Sequence, residues 1–172
     1  MIYSFEGKTP KIGEGTYVSP SADIVGDVVI GRDCYIGPGA RIKGDYGTVH
    51  IGDRTSIQEN CVLHARPDDV CTIGDEVTAG HGCILHNCTI RDGAVIGMGA
   101  IVSDYAVVGE WSAIGEGCVV KQEQVIPARS IAVGVPAKII GAVSEKWLEE
   151  WKDFKQIYVE LAHRYAKGLK EI

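Results

Sequence analysis

Six cysteines are present in the 172-residue chain, but no Cys-x-x-Cys pair. The chain is also not a short secreted scaffold, so a disulfide framework is not indicated. No apolar run is long enough to span a bilayer. The opening Met1-Ile2-Tyr3-Ser4-Phe5-Glu6 has neither the basic lead nor the apolar stretch of a secretory signal. A cytoplasmic protein without membrane contact is the expectation. Basic residues are in deficit, 17 Lys and Arg against 23 Asp and Glu, for a formal net charge of −6. With no basic stripe, nucleic acid is not expected as a partner. The strict glycine triplet of collagen is absent, although there are 22 glycines. Length and composition fit one globular domain with a continuous core. Frequent glycine among many Ile and Val residues points to short strands joined by tight corners.

A branched aliphatic recurs every sixth residue: Ile12, Val18, Ile24, Ile30, Ile36, Ile42. The register shifts after Gly44-Asp45-Tyr46 and resumes at Ile51, Ile57 and Leu63. It shifts again through Ala65-Arg66-Pro67-Asp68-Asp69, resumes at Ile73, Ala79 and Leu85, and then runs from Ile90 to Val120. Glycine often follows the aliphatic, and the residue four on is usually small, as at Ala22, Cys34, Cys61, Cys83 and Cys118. A helix would scatter these aliphatics over different faces, and each glycine would cost it about 1 kcal/mol against alanine. Strands meeting at corners fit instead, with the aliphatic inward from each flat side and the small residue at the corner. Three sides close a coil of about 18 residues that rises about 4.8 Å, the spacing of neighbouring strands. The expected fold is an all-β solenoid, a parallel β-helix of hexapeptide repeats.

The repeat fades near Gln124-Val125-Ile126-Pro127, with one more strand-like stretch from Ser130 to Ile140. Ser144 is a good helix N-cap. Behind it Trp147, Trp151, Phe154, Tyr158, Leu161 and Tyr165 form one apolar helical stripe. The expected organisation is a solenoid over residues 1–140 and a C-terminal α-helix within 141–172. That helix should pack on its own solenoid or on a neighbouring subunit.

The repeat assigns positions to the histidines. Ile42, Leu63, Leu85 and Val102 fall on one side of successive coils, so the residues that follow, Lys43, His64, His86 and Ser103, stack as well. His64 and His86 should lie one above the other and point outward, because alternate strand residues point oppositely. Two such imidazoles can share one divalent ion, at about 2.0–2.1 Å per nitrogen for zinc. His81 belongs to the preceding side and should not reach that ion within the chain. A cyclic trimer would let a neighbour supply it, with one site at each interface. His50 and His163 lack such partners and are expected to be ordinary surface side chains.

The chain resembles the gamma-class carbonic anhydrases, in the branch of the phenylacetate-operon and carnitine-operon hexapeptide proteins. Lys43-Gly44-Asp45, Ile57-Gln58-Glu59-Asn60 through Leu63-His64, and His81-Gly82-Cys83-Ile84-Leu85-His86 carry the resemblance. Gly134 to Lys138 adds a stretch common to many hexapeptide acyltransferases. The resemblance implies a left-handed solenoid and a homotrimer. It also implies an interfacial zinc (iron or cobalt being alternatives) on His64, His81 and His86. It implies reversible hydration of carbon dioxide to bicarbonate by water made acidic at that ion. Gln58 matches the glutamine that orients water or substrate. Lys43 stands where arginine is usual, Asp45 matches one acid of an interfacial ion-pair set, and Glu59 stands where aspartate is usual. Lysine lacks the planar guanidinium fork, so the change is not conservative, and a longer Glu59 opposite Lys43 is expected to compensate. Tyr46 lies where the founding type has a glutamate, and its acidic proton-shuttle loop is reduced to Pro67-Asp68-Asp69. Tyr158 lies near a helix tyrosine that some relatives place at the site, and core packing is its expected role.

Two other functions are compatible with such a solenoid. One is a coenzyme A-dependent acyltransferase or acyl-CoA thioesterase, which needs a histidine base beside a coenzyme A groove, usually at a subunit interface, but not three ligand-spaced histidines. The other is a non-catalytic metal-binding trimeric scaffold. Cys34, Cys61, Cys83 and Cys118 fall at the small inward position and are expected to be structural. Cys88 is near His86 but is not expected to be a ligand, and Cys71 has no assigned role.

Overall fold

The computed structural model describes residues 1–172 and is a left-handed parallel β-solenoid of about seven turns with one C-terminal helix. Each short strand pairs in parallel with its counterpart one coil on. Ser56–Ile57, Thr78–Ala79, Val95–Ile96, Ala113–Ile114 and Ser130–Val133 form one such column. Arg41–Ile51, Val62–His64, Ile84–His86, Ile101–Val102 and Val119–Val120 form another. Inward aliphatics from Ile24 to Val120 are at most 2% exposed and belong to one cluster of 34 buried residues. Ile12 and Val18 are only partly buried, since no coil precedes theirs. All six cysteines are free and buried. Cys71 and Cys88 therefore act as small core hydrophobes, like the four at the repeat position.

The solenoid departs from the even repeat in two places. The first register shift lies inside continuous strands, Asp23–Ile30 and Arg41–Ile51, which pair across an irregularity between Gly26 and Val28. The crossing is close: a Cβ on Gly44 would lie 2.1 Å from the Asp27 carbonyl oxygen. Glycine alone fits there. Second, the repeat does not end near Gln124. Val125–Ile126 still pairs with Val107–Val108, and Ser130–Val133 with Ala113–Ile114. The aliphatic period weakens there, yet the backbone ladder continues. Lys138–Ala142 then turns back antiparallel to Ser130–Val133 and ends the sheet.

The helix Glu145–Gly168 begins at Ser144, whose hydroxyl accepts from the Trp147 amide at 3.1 Å. It packs on its own solenoid. Its buried side chains are Leu148, Lys155, Val159 and Ala162, with Tyr158, Leu161 and Tyr165 against Tyr17 and Tyr35. Of the aromatic stripe, Trp147, Trp151, Tyr158, Leu161 and Tyr165 are half-buried, and Phe154 is 53% exposed. His163 Nε2 meets Asp33 Oδ1 at 2.8 Å and anchors the helix end. His50 is exposed. No helix is long and apolar enough to cross a membrane.

Candidate metal centre

His64 and His86 end adjacent parallel strands and pair directly in register. They follow Leu63 and Leu85, which are fully buried, so strand alternation turns both imidazoles outward. Their ring centroids are 5.3 Å apart, and Nδ1 of His64 faces Nε2 of His86 at 3.2 Å. The other nitrogen of each ring is held by a carboxylate. His64 Nε2 donates to Asp45 Oδ1 at 2.9 Å, and His86 Nδ1 to Asp104 Oδ1 at 2.5 Å.

The two acids are ionised at neutral pH. Partial burial pushes the Asp45 carboxyl up, but hydrogen bonds from Lys43 and His64 outweigh it and leave it below the ordinary range. Arg66 is the main cause that holds Asp104 low, against partial burial and with help from His86. An ionised carboxylate only accepts hydrogen bonds. Each imidazole must therefore carry its proton on the carboxylate side. With both rings neutral, the nitrogens that face each other at 3.2 Å each present a lone pair. That arrangement is repulsive unless a proton or a metal ion lies between them. Two nitrogens bound to one tetrahedral zinc stand about 3.3 Å apart. The donor set fits a divalent metal: two stacked imidazoles, each oriented by a carboxylate on its far side, the usual support for a metal-bound histidine.

His81 lies on the neighbouring side of the coil, and its Nδ1 is 2.5 Å from Glu59 Oε2. That contact lacks hydrogen-bond alignment. Glu59 Oε1 accepts from the Tyr35 hydroxyl at 2.8 Å, so the acid is held from within the helix–solenoid seam. Within the chain no group of three or more His, Cys, Asp or Glu side chains is arranged to hold a metal. Lys43 Nζ pairs with Asp45 Oδ2 at 2.7 Å and forms no ion pair with Glu59 in the same chain. Gln58 is 5% exposed and lines, with His81, one end of a groove. Val95, Met98, Trp147 and Trp151 form its apolar walls.

Tyr46 is exposed, with its ring edge-on to His64 at 6.3 Å. Asp69 accepts from Asn87 Nδ2 at 3.0 Å and braces the loop, while Asp68 is exposed. Tyr158 packs edge-on against Tyr35. Asp104, Arg66 and Tyr35 escaped the sequence reading. Asp104 follows Ser103, the residue expected above His86, so extending the column by one position would have found it. Arg66 and Tyr35 follow no repeat rule that singles them out.

Residues 9–44 match the family described as bacterial transferase hexapeptide (six repeats). A carbonic anhydrase from Geobacillus kaustophilus is 39% identical over 99% of this chain and 93% of its own. The chain belongs to the gamma-class carbonic anhydrase branch of the hexapeptide-repeat proteins. The carnitine operon protein CaiE of Salmonella typhimurium lies in the same branch, 37% identical over 98% of this chain and 85% of its own. A Bacillus cereus crystal structure, described provisionally as an acetyltransferase, superposes with a TM-score of 0.94 at 38% identity, covering 96% of each chain. Hexapeptide-repeat relatives thus carry both hydration and acyl-transfer names.

Proposed function

We propose that the protein is a metal-dependent carbonic anhydrase, interconverting carbon dioxide and bicarbonate as a homotrimer. His64 and His86 of one copy and His81 of a neighbour would hold the ion, zinc or else iron or cobalt. The observation that carries this reading is the pair of facing imidazole lone pairs, each fixed by an ionised acid. The lack of a complete ligand set within one chain fits a shared site, and so does the free Nε2 of His81.

A divalent ion held there supplies the Lewis acidity that makes water acidic near neutral pH. The chain's own groups do the rest. Asp45 and Asp104 keep the proton of each imidazole away from the ion. Glu59, held by Tyr35, places a carboxylate oxygen beside His81 Nδ1. Gln58, nearly buried beside His81, offers an amide that can hydrogen-bond water or carbon dioxide at the groove end. Lys43 neutralises Asp45 and keeps one cation at the rim for the bicarbonate product. The test compares carbon dioxide hydration by metal-loaded and chelator-stripped protein. Metal-dependent hydration supports the reading; a full metal complement with no hydration sinks it.

The groove favours one second reading, acyl transfer or thioester hydrolysis with His81 as base. Its apolar walls suit an acyl chain, and its end at His81 and Gln58 suits a carbonyl. Acyl-CoA turnover that survives complete metal removal would favour this reading over hydration.

A further inference from the structure

We propose that Asp104, clamped by Arg66, is a positioning residue that fixes which ring nitrogen of His86 faces outward toward His64. Its consequence for metal affinity rests on the metal reading above, while its geometry does not. Leu63 pairs with Leu85 and Leu85 with Val102, so His64, His86 and Asp104 sit on three successive coils. Arg66, two residues after His64, reaches past the His86 coil to the third. Its Nε and Nη2 lie 2.9 and 2.7 Å from Asp104 Oδ2. Only Oδ1 is left for His86 Nδ1. The carboxylate is thus divided, one oxygen to the guanidinium and the other to the imidazole, and its side chain is only 13% exposed. Lys43 holds Asp45 on the opposite flank as a single rotatable point charge. Arg66 presents two donors in a planar fork and fixes the orientation of its acid more firmly.

The clamp makes a specific forecast for the isosteric variant Asp104→Asn. Arg66 can only donate, so it will draw the amide oxygen to itself. The amide nitrogen then faces His86 and donates to Nδ1. The imidazole proton must move to Nε2, the nitrogen that faces His64. One exchanged atom thereby blocks the outward lone pair without altering shape. Removing Arg66 as well lets the amide turn over and offer oxygen to His86 again. The double variant Asp104→Asn/Arg66→Ala should therefore recover part of what Asp104→Asn loses. A purely structural role for either residue does not produce that reversal.

The experiment reads two quantities on the full-length protein. Nitrogen-15 NMR of the metal-free protein reports the His86 tautomer, and zinc competition against a chromophoric chelator reports affinity. We expect the Nδ1–H tautomer in the wild type and the Nε2–H tautomer in Asp104→Asn. Zinc affinity of that variant should fall by about 10- to 100-fold, the usual cost of losing a histidine's supporting partner, and rise again in the double variant. The metal-free melting temperature and oligomeric size serve as fold controls. An unchanged tautomer in Asp104→Asn overturns the proposal. So does a double variant that binds more weakly than Asp104→Asn, since Arg66 then does not act through the acid. A tautomer switch in a protein whose wild type binds no zinc upholds the positioning role and overturns the metal reading instead.

Discussion

Lys155 holds a primary amine out of water at 4% exposure, with Nζ 3.3 Å from Thr78 Oγ1. Burial pushes the amine down to about 7, and Glu76 partly opposes the shift. The indoles of Trp111 and Trp151, 5.5 and 5.6 Å from Nζ, also favour the ammonium. From about 7 to the ordinary 10.5 the unfolded chain keeps a proton that the folded chain has released. Stability therefore rises with pH across that window. Allowing for the indoles, the rise attributable to this residue should be about 2–3 kcal/mol. Lys155→Met should abolish it and raise stability at pH 7. Urea unfolding of both proteins from pH 7 to 10 measures the difference, and parallel curves would contradict the assignment. His64 and His86 were legible at this scale because each follows an aliphatic whose place in the stack is fixed. The acid and arginine that hold His86 were not, since a charged outward residue leaves no period in the sequence.

Among the elements, strands were legible wherever Ile or Val kept the period of six. They were less legible where backbone pairing alone sustains the coil, as at Val125–Ile126. The glycines that follow an aliphatic have a cause that emerges only between coils. A Cβ on Gly52 would lie 2.2 Å from Asp75 Oδ1, which accepts from the Asp53 amide at 2.7 Å. The carboxylate of one coil thus occupies the space a side chain would fill on the coil before. The helix start was legible from Ser144. The buried face was not, because the tyrosines that receive it lie far away in sequence. Ser144→Ala should cost about 1 kcal/mol, read as a lower denaturant midpoint. No change would mean that packing of Tyr158, Leu161 and Tyr165 alone sets the helix boundary.

Under the proposed hydration reaction, the whole molecule has a proton to dispose of in each turnover. Of the acids in the shortened loop, Asp69 is engaged with Asn87 and Asp68 is exposed on the surface. Proton export should therefore depend on solution buffer. Turnover should rise with imidazole buffer concentration at fixed pH and ionic strength, then level off. A rate independent of buffer would show that a protein group carries the proton. The proposed shared site makes a sharper demand on the assembly. His81→Ala chains and His64→Ala/His86→Ala chains should each bind no stoichiometric metal alone. Unfolded together and refolded as mixed oligomers, they should regain metal at interfaces that join an intact His81 to an intact His64–His86 pair. Metal content of the mixture is the deciding measurement. Recovered zinc in the mixed oligomer is the predicted result, and a mixture as empty as its parents, or full metal retention by His81→Ala alone, contradicts the shared centre.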